Sequence, residues 1–384
     1  MSKRGVNRDN QKKSNRGLLL QLVATRECTS RIDLSRRMGL TKTAISQIVG
    51  GLIEEGMLTE TEKESDSGIG RNPIGLDISP NAPLFAGILV QRGFCEAVIC
   101  DMQLGIMRSE KLVREFDSKK DLADSIFYLL DHLLEGETRV IAIGAASIGP
   151  VSLREGKIID PMYFCGITNF ELKTLLEERY HLPVFFDHDN QSAVKAEYLY
   201  GNARGFQDVL LVGINRGVGC GILIGGSRLH SETGYAPEIG HVSIDNKGLV
   251  CACGNVGCLE MYVNSATVLD RMRQKTGLSL TYADFLSRNI PDVDSVMEET
   301  IDRLSAGIVS TLNVLNSQIV LLAMDCDLWP DRYIRQIEDE INLHKFGNRD
   351  TRTYVRKTFF GDKCHVLGAA CNAISEVFAG NLLS

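Results

Sequence analysis

The sequence predicts an α/β protein that begins with a small helical domain. Beyond residue 84, apolar runs of strand length alternate with segments of helical periodicity, as in α/β folds. Before residue 54, the apolar residues recur at helical spacing instead. The chain of 384 residues also exceeds the usual length of one compact core, so we expect two domains, 1–80 and 81–384.

The composition is typical of a soluble globular protein. Hydrophobic residues form 44% of the chain, charged residues form 24%, and no apolar run reaches the roughly 18 residues needed to span a bilayer. The basic N-terminus leads into no uninterrupted apolar segment of a signal peptide. Eight of the 11 cysteines are scattered, as expected for reduced thiols. We therefore expect a cytoplasmic protein without a membrane partner.

Charge is distributed unevenly along the chain. Residues 1–53 hold eleven Lys and Arg against three Asp and Glu, a net charge of +8, whereas the whole chain carries −7 and the remainder therefore −15. A basic N-terminal segment on an acidic body predicts that only this segment meets a polyanion.

The first 56 residues predict a helix-turn-helix. A helix capped by Thr41 and stopped by Gly56 has one apolar face, formed by Ile45, Ile48, Val49, Leu52 and Ile53. Its opposite face carries the candidate base-contacting residues Lys42, Thr43, Ser46 and Gln47. A helix over 29–38 precedes it across the turn at Gly39, and an earlier helix over about 11–24 completes a three-helix core.

These residues favour binding to double-stranded DNA. The second helix of such a pair enters the major groove, where short polar side chains reach base edges. Arg31, Arg36 and Arg37 are better suited to phosphate contacts, as is Lys42.

Residues 57–78 predict a wing. Two short strand-like segments flank a glycine-rich stretch that contains Arg71. This stretch is flexible enough to place Arg71 in a narrow minor groove, where negative potential concentrates. The alternative is a domain linker that contacts nothing.

A group of soft ligands predicts a structural zinc site. The group comprises one histidine and three closely spaced cysteines, namely His241, Cys251, Cys253 and Cys258. Sulfur and imidazole in a tetrahedral array favour zinc, and four protein ligands leave no position for a reactive water. Gly254 and Gly257 between the ligands permit tight turns. The alternative is ordinary reduced cysteines.

The acidic body predicts a succession of strands and turns. Strands are expected over 84–90, 95–101, 140–147, 184–187, 209–215 and 319–324. Glycine-rich turns are expected after them, at Gly144, Gly149, 217–221 and 225–226. Such a body is suited to holding a small polar ligand between two lobes.

Taken together, these segments resemble the ROK family of repressors, uncharacterised reading frames and sugar kinases. The resemblance rests on the zinc-ligand group, the helix-turn-helix, and the stretches 236–241, 148–151 and 367–370. It implies a winged helix-turn-helix followed by a two-lobed actin-like domain, of the hexokinase and ribonuclease H-like type, with a sugar cleft.

The resemblance also implies which residues bind sugar: His188, Asp189, Glu238, His241 and Glu260. Asp189 occupies the position of the kinase base, whereas His188 and Gln191 replace two family asparagines. Paired carboxylates and an imidazole suit the hydroxyls of a sugar. As alternatives, Asp189 caps a helix through Ala193 to Tyr198, and Glu260 favours the start of another helix.

The resemblance also implies that nucleotide binding is lost. A ROK kinase carries Asp-x-Gly-Gly-Thr-Lys where this chain has 89–94, Leu-Val-Gln-Arg-Gly-Phe, and two glycines near adenosine are replaced by Ala323 and Met324. We therefore expect no enzyme and no nucleotide, but a repressor with structural zinc that responds to a monosaccharide or a sugar phosphate. The alternative is a sugar kinase with a regulatory head. A repressor that reads a palindrome implies a homodimer or homotetramer.

Overall fold

The N-terminal head contains three helices that form the predicted helix-turn-helix. The computed structural model describes residues 8–62, 74–229, 235–288, 290–347 and 350–383. The helices of the head are α1 (Arg8–Ala24), α2 (Arg31–Met38) and α3 (Lys42–Glu54). Thr41 caps α3 as predicted, since its side chain accepts a hydrogen bond from the backbone of Ala44. Gly39 ends α2 with a φ of 67°, in the left-handed region that glycine adopts without strain.

The wing strands follow directly. They are β1 (Leu58–Glu62) and β2 (Ile74–Ile78), which pair antiparallel with Leu58 opposite Ile78. This pairing confirms both predicted strand segments. Arg71, the predicted minor-groove residue, lies outside the described residues.

The first lobe is built on a mixed five-stranded sheet in the order β5-β4-β3-β6-β9. Its strands are β3 (Leu84–Gln91), β4 (Phe94–Cys100), β5 (Ile106–Val113), β6 (Val140–Ser147) and β9 (Val184–His188). Between β6 and β9 lie the short hairpin β7 (Val151–Ser152) and β8 (Lys157–Ile158). The helices of this lobe are α4 (Lys119–Leu134) and α5 (Leu172–Tyr180).

The second lobe repeats this arrangement in the order β12-β11-β10-β13-β14. Its strands are β10 (Val209–Ile214), β11 (Val218–Ile224), β12 (Ser227–Arg228), β13 (Ile319–Met324) and β14 (Tyr354–Lys357). In each lobe an antiparallel meander is extended by two parallel strands. The helices are α7 (Glu260–Val263), α8 (Ser265–Thr276), α9 (Tyr282–Ser287), α10 (Val293–Leu315) and α11 (Asp331–His344). The duplicated topology confirms the predicted two-lobed architecture.

Two helices, α6 (Asp189–Tyr200) and α12 (Cys364–Phe378), pack on each other and connect the lobes. α12 also lies on β3 and β6 at very short range. A Cβ atom on Gly144 would lie 1.8 Å from the carbonyl oxygen of Ala369, so only glycine permits this contact. Almost all residues of α12 are buried.

The head is joined to the body through α12. A Cβ atom on Gly17 in α1 would lie 2.3 Å from the carbonyl oxygen of Phe378. Leu19 and Leu20 of α1 belong to the same buried cluster as Val377. Leu18, which the periodicity places on the apolar face, is 40% exposed instead. The division at residue 80 stays a prediction, and the head packs against the C-terminal end of the chain.

Several predicted turns are in fact strand residues. Gly144 lies inside β6, and residues 218–221 lie in β11. A Cβ atom on Gly221 would lie 2.1 Å from the backbone oxygen of Asn190, so this glycine serves the close packing of β11 on α6. The turn at 225–226 is confirmed, with both glycines at positive φ. None of the helices formed by the described residues is both long and apolar enough to cross a membrane.

Candidate functional site

A cleft of about 100 Å3 opens between the two lobes, at the ends of β3, β9 and β10. All five predicted sugar-binding residues line it, namely His188, Asp189, Glu238, His241 and Glu260. The cleft forms there because the carboxyl ends of parallel strands meet at one edge of a sheet, which is where α/β folds bind ligands. The structure therefore brings together the residues that the resemblance implied, and their binding role stays a prediction.

Asp189 lies on the floor of the cleft and is only 2% exposed. It is the first residue of α6, and His188 occupies the capping position, so the alternative of Asp189 as helix cap is not what the structure has. Its Oδ2 atom accepts a hydrogen bond from Nε2 of Gln91, at the end of β3. The Nδ1 atom of His188 lies 3.1 Å from its Oδ1 atom.

Glu238 and Glu260 face the cleft from the second lobe. Partial enclosure of the Glu238 carboxyl group raises its pKa. Glu260 is the first residue of α7, as the alternative interpretation expects, and its Oε2 atom accepts a 2.8 Å hydrogen bond from the backbone of Val218. Its carboxylate therefore supports the turn between β10 and β11 and also lines the cleft.

The four predicted zinc ligands converge. Their ligand atoms all lie within 4.8 Å of one another. The Sγ atom of Cys251 lies 3.7 Å from Nδ1 of His241, and Sγ of Cys253 lies 3.7 Å from Sγ of Cys258. Tetrahedral zinc with bonds of about 2.3 Å places its sulfur ligands about 3.8 Å apart, so the donor set and its spacing fit zinc.

Two glycines shape the loop that presents these ligands. Gly254 and Gly257 have φ angles of 92° and 70°, in the region that favours glycine, so the tight turns predicted there are confirmed. Two of the metal ligands are close in the sequence to the two cleft carboxylates of the second lobe. His241 follows Glu238 by three residues, and Cys258 precedes Glu260 by two. A metal bound here would hold two cleft carboxylates in place.

Sequence reasoning missed several cleft residues. Asn190 lines the cleft, and its Oδ1 atom lies 3.1 Å from Nε2 of His365 in α12. Burial lowers the pKa of His365 to about 4, so this imidazole is neutral and its Nε2 donates the bond. Arg92 also lines the cleft and donates from Nε to the carbonyl of Met162. The signal for Asn190 was its place directly after Asp189, whereas His365 carried none.

The candidate DNA-contacting residues lie on the surface of the head. Lys42, Thr43, Ser46 and Gln47 are all exposed on α3, opposite the buried Ile45, Val49 and Leu52. Arg36 is exposed as well. Arg31 pairs with Glu60 at 2.7 Å and Arg37 with Glu27 at 2.6 Å. Such surface pairs contribute little free energy, so they leave both arginines available for phosphates.

Comparison with known proteins agrees with this architecture. Over 318 residues the chain is 27% identical to the xylose repressor of Bacillus subtilis (strain 168), covering 81% of this chain and 82% of that protein. A ROK family transcriptional regulator, homologous to the MLC protein of Escherichia coli, has the same fold over 98% of both chains, with a TM-score of 0.81 at 23% identity.

A ROK family glucokinase from Streptomyces griseus, in complex with glucose and AMPPNP, matches 75% of this chain and 98% of its own, with a TM-score of 0.68 at 20% identity. The model of the ROK family matches residues 87–376. That span covers most of the two-lobed body, and the chain belongs to the ROK family.

Proposed function

We propose that this protein is a sugar-responsive, DNA-binding transcriptional repressor of carbohydrate-metabolism genes. A monosaccharide or sugar phosphate binds in the cleft and alters the affinity of the head for double-stranded operator DNA. The sequence similarity to the xylose repressor of Bacillus subtilis supports this role. The single observation that carries the proposal is the hydrogen bond that Gln91 donates to Asp189. Asp189 occupies the position of a kinase base, and the cleft around it retains the polar groups suited to a sugar.

The residues at the positions that bind nucleotide in ROK kinases disfavour phosphoryl transfer here. A kinase base must be free to accept the proton of the sugar hydroxyl. Gln91 engages Asp189, and the side chains of Arg92 and Met324 line the space beside it. Leu89, at the position of the first residue of the kinase motif, is paired with Glu96 across β3 and β4. The Glu96 carboxylate is buried, and its Oε1 atom forms an ion pair with Nζ of Lys363. We therefore expect neither nucleotide binding nor enzyme activity.

The head supports recognition of a DNA duplex. The exposed polar face of α3 presents Lys42, Thr43, Ser46 and Gln47, and the buried face fixes its orientation. Base edges in the major groove accept and donate hydrogen bonds to such side chains. Arg71 belongs to the sequence that connects the paired wing strands β1 and β2, and its minor-groove contact is part of the proposal.

The cleft supports recognition of a sugar. Asp189, Glu238 and Glu260 offer acceptors for adjacent hydroxyls, and His188 and His241 add two imidazoles. Structural zinc at His241 and the three cysteines keeps the second-lobe side of this group rigid. The zinc therefore contributes geometry rather than chemistry.

One helix connects cleft and head. In the first turn of α12, His365 bonds to Asn190 of α6, which lines the cleft. In the last turn, the carbonyl oxygen of Phe378 lies against Gly17 of α1. A sugar that shifts α6 therefore displaces α12, and with it the head. Coupling of this kind is a free energy, typically about 1–3 kcal/mol.

A homodimer or homotetramer is part of the proposal, since a two-fold protein reads a palindromic operator. Val314 near the end of α10 is 82% exposed, and Leu343 and Phe346 near the end of α11 are 63% and 91% exposed. The backbone of Phe346 bonds to Asn313, next to Val314. This apolar surface on the second lobe is suited to contact between two copies. A cytoplasmic location accompanies this function.

The decisive test separates repressor from kinase. A thermal-shift screen of monosaccharides and their 6-phosphates identifies the effector, because a ligand of the native state raises the melting temperature. The hits are then incubated with ATP and Mg2+, and duplex binding is measured with and without them. We expect effector-sensitive DNA binding and no turnover of ATP. Phosphorylation of a sugar at enzymatic rates contradicts the proposal and favours a sugar kinase.

A further inference from the structure

A second cavity, of about 300 Å3, lies where the head meets the body. Helix α1 contributes Gln21 to its wall, α6 contributes Lys195, and α12 contributes Ser375 and Phe378. Among the described residues, none lines both this cavity and the sugar cleft. This volume lies at the lower end of the range of about 300–1,000 Å3 typical of small-molecule sites.

Lys195 provides this cavity with a positive charge, and no carboxylate lies among the described residues of its lining. Glu376 of α12 acts on this charge from outside the lining. Within the described part of the chain, Lys195 forms no ion pair. Its ammonium has three donors, and the structure gives it one hydrogen bond, to Oδ1 of Asn372 at 3.2 Å. The orientation of Asn372 is fixed, because its Nδ2 atom donates to Ala145 and Ser192.

The environment of Lys195 penalises its charge. Burial lowers the pKa of Lys195, so the protein stabilises its ammonium less well than water does. An anion beside it would restore that stabilisation. The other cationic group of the wall, Arg228, is paired with Asp187. The cavity therefore offers one net positive charge, and no described residue of its lining is acidic.

The rest of the wall is apolar or neutral. Leu199, Leu223 and Phe378 face the cavity, and the carboxamides of Gln21 and Gln191 lie among them. The Gln191 carboxamide is held by the carbonyl of Leu229. Such a wall matches a molecule with an apolar body and few hydroxyl groups.

We infer that this cavity is a second ligand-binding site, which takes a small organic monoanion with an apolar body and holds its charge at Lys195. A ligand in this position contacts α1 of the head as well as α6 and α12 of the body. The inference goes beyond the proposed function, because it concerns neither the sugar cleft nor the DNA-contacting face.

The test uses the full-length protein and two fluorescent probes of similar shape. One is 8-anilinonaphthalene-1-sulfonate, an organic monoanion, and the other is N-phenyl-1-naphthylamine, its uncharged counterpart. We expect the wild type to bind the anion at least tenfold more tightly than the amine. Lys195→Gln should weaken binding of the anion about tenfold or more and leave that of the amine unchanged, as expected for loss of a hydrogen bond to a charged group.

Three further variants locate the effect. Lys195→Arg keeps the charge and should retain the preference for the anion, and Lys173→Gln on the distant α5 is the matched control. Gln21→Glu adds a negative charge from the α1 side, so it should weaken anion binding even if Lys195→Gln folds poorly. Anion affinity that is unchanged in both Lys195→Gln and Gln21→Glu overturns the inference. Since no sugar or DNA is present, this outcome is independent of the proposed function.

Discussion

The side chain of Gln91 donates a hydrogen bond to Asp189, a residue 98 positions later in the chain, on the floor of the cleft between the lobes. Both residues are almost completely buried, with exposures of 1% and 2%. The contact holds the carboxylate in a fixed orientation and engages one of its two oxygens. The other oxygen, Oδ1, accepts hydrogen bonds from the backbone and side chain of Asn190. The carboxylate keeps lone pairs that can accept a hydrogen bond from a ligand hydroxyl.

Asp189→Asn should weaken effector binding. The substitution replaces a charged acceptor by a neutral one, and hydrogen bonds to charged groups contribute about 1.5–3 kcal/mol, so we expect about a tenfold or greater loss of sugar affinity. Isothermal titration with the sugar found by thermal shift measures this change. The exposed Asp270→Asn on α8 serves as control. An Asp189→Asn protein with wild-type sugar affinity contradicts the role of this carboxylate.

Cys253→Ser should release zinc and abolish the response to sugar. Metal content measured by mass spectrometry is expected to fall from one zinc ion per chain to a small fraction, because a hydroxyl is a far weaker zinc ligand than a thiolate. The melting temperature should fall with it. Cys165→Ser changes an exposed cysteine outside the ligand group and should alter neither quantity. A metal-free Cys253→Ser protein with full sugar response would falsify the structural role of zinc.

Lys42→Ala should weaken DNA binding without affecting sugar affinity. Lys42 is exposed at the start of α3, where neutralising a phosphate releases counterions. The slope of log Kobs against log salt should become shallower by about 0.9 for each phosphate that the variant no longer neutralises. Fluorescence anisotropy over a salt series measures the slope, and Lys120→Ala on α4 provides an exposed lysine for comparison. An unchanged slope removes Lys42 from the DNA interface.

Two glycines in helices should respond oppositely to alanine. In Gly17→Ala the new methyl group meets the carbonyl oxygen of Phe378, and such overpacking costs about 1–3 kcal/mol. Gly50→Ala in α3 meets nothing within 4 Å and should stabilise the helix by about 0.5–1 kcal/mol. Urea unfolding of both variants tests the packing of α1 on α12. Equal stabilisation by the two substitutions argues against that packing.

Stability should depend on the neutral state of His365. Its pKa is lowered by burial from an ordinary value of about 6.5 to about 4, so between these pH values the unfolded chain binds more protons than the folded chain. The contribution of His365 is complete above about pH 6.5 and is lost as the pH falls toward 4. From pH 7 to pH 5 the loss is about 2 kcal/mol.

Urea unfolding of wild type and His365→Gln at both pH values measures this contribution. The glutamine keeps a donor for Asn190 but does not titrate, so the wild type should lose about 2 kcal/mol more than the variant between pH 7 and pH 5. The same pH dependence in both proteins would show that His365 contributes nothing to it.

The features predicted from sequence were those whose signal is local. The apolar face of α3 and its cap at Thr41 lie within a few residues, and so do Cys251, Cys253 and Cys258. The six predicted strands of the body are mainly apolar, because most of their side chains are buried on both faces of the sheets. These features need no knowledge of distant contacts.

The features that were missed depend on distant packing. The glycines of β11 look like a turn, yet they are required because the helix α6 lies directly on this strand. The strand β5 is largely exposed at a sheet edge, and charged and polar residues in its middle interrupt the apolar ones, so no continuous apolar run marks it. Gln91 and Asp189, like His365 and Asn190, are distant in the sequence and are in contact only in the folded protein, so no local pattern predicts such pairs.

Coupling between the cleft and the head is tested most directly by one titration, of the full-length protein against a duplex recovered by selection from random DNA, with and without the sugar identified by thermal shift. We predict sequence-specific binding whose affinity the sugar changes about five- to 150-fold, the range of ordinary allosteric coupling. Failure to select any duplex, or an affinity that no sugar alters, contradicts the central claim that the cleft reports to the DNA-binding head.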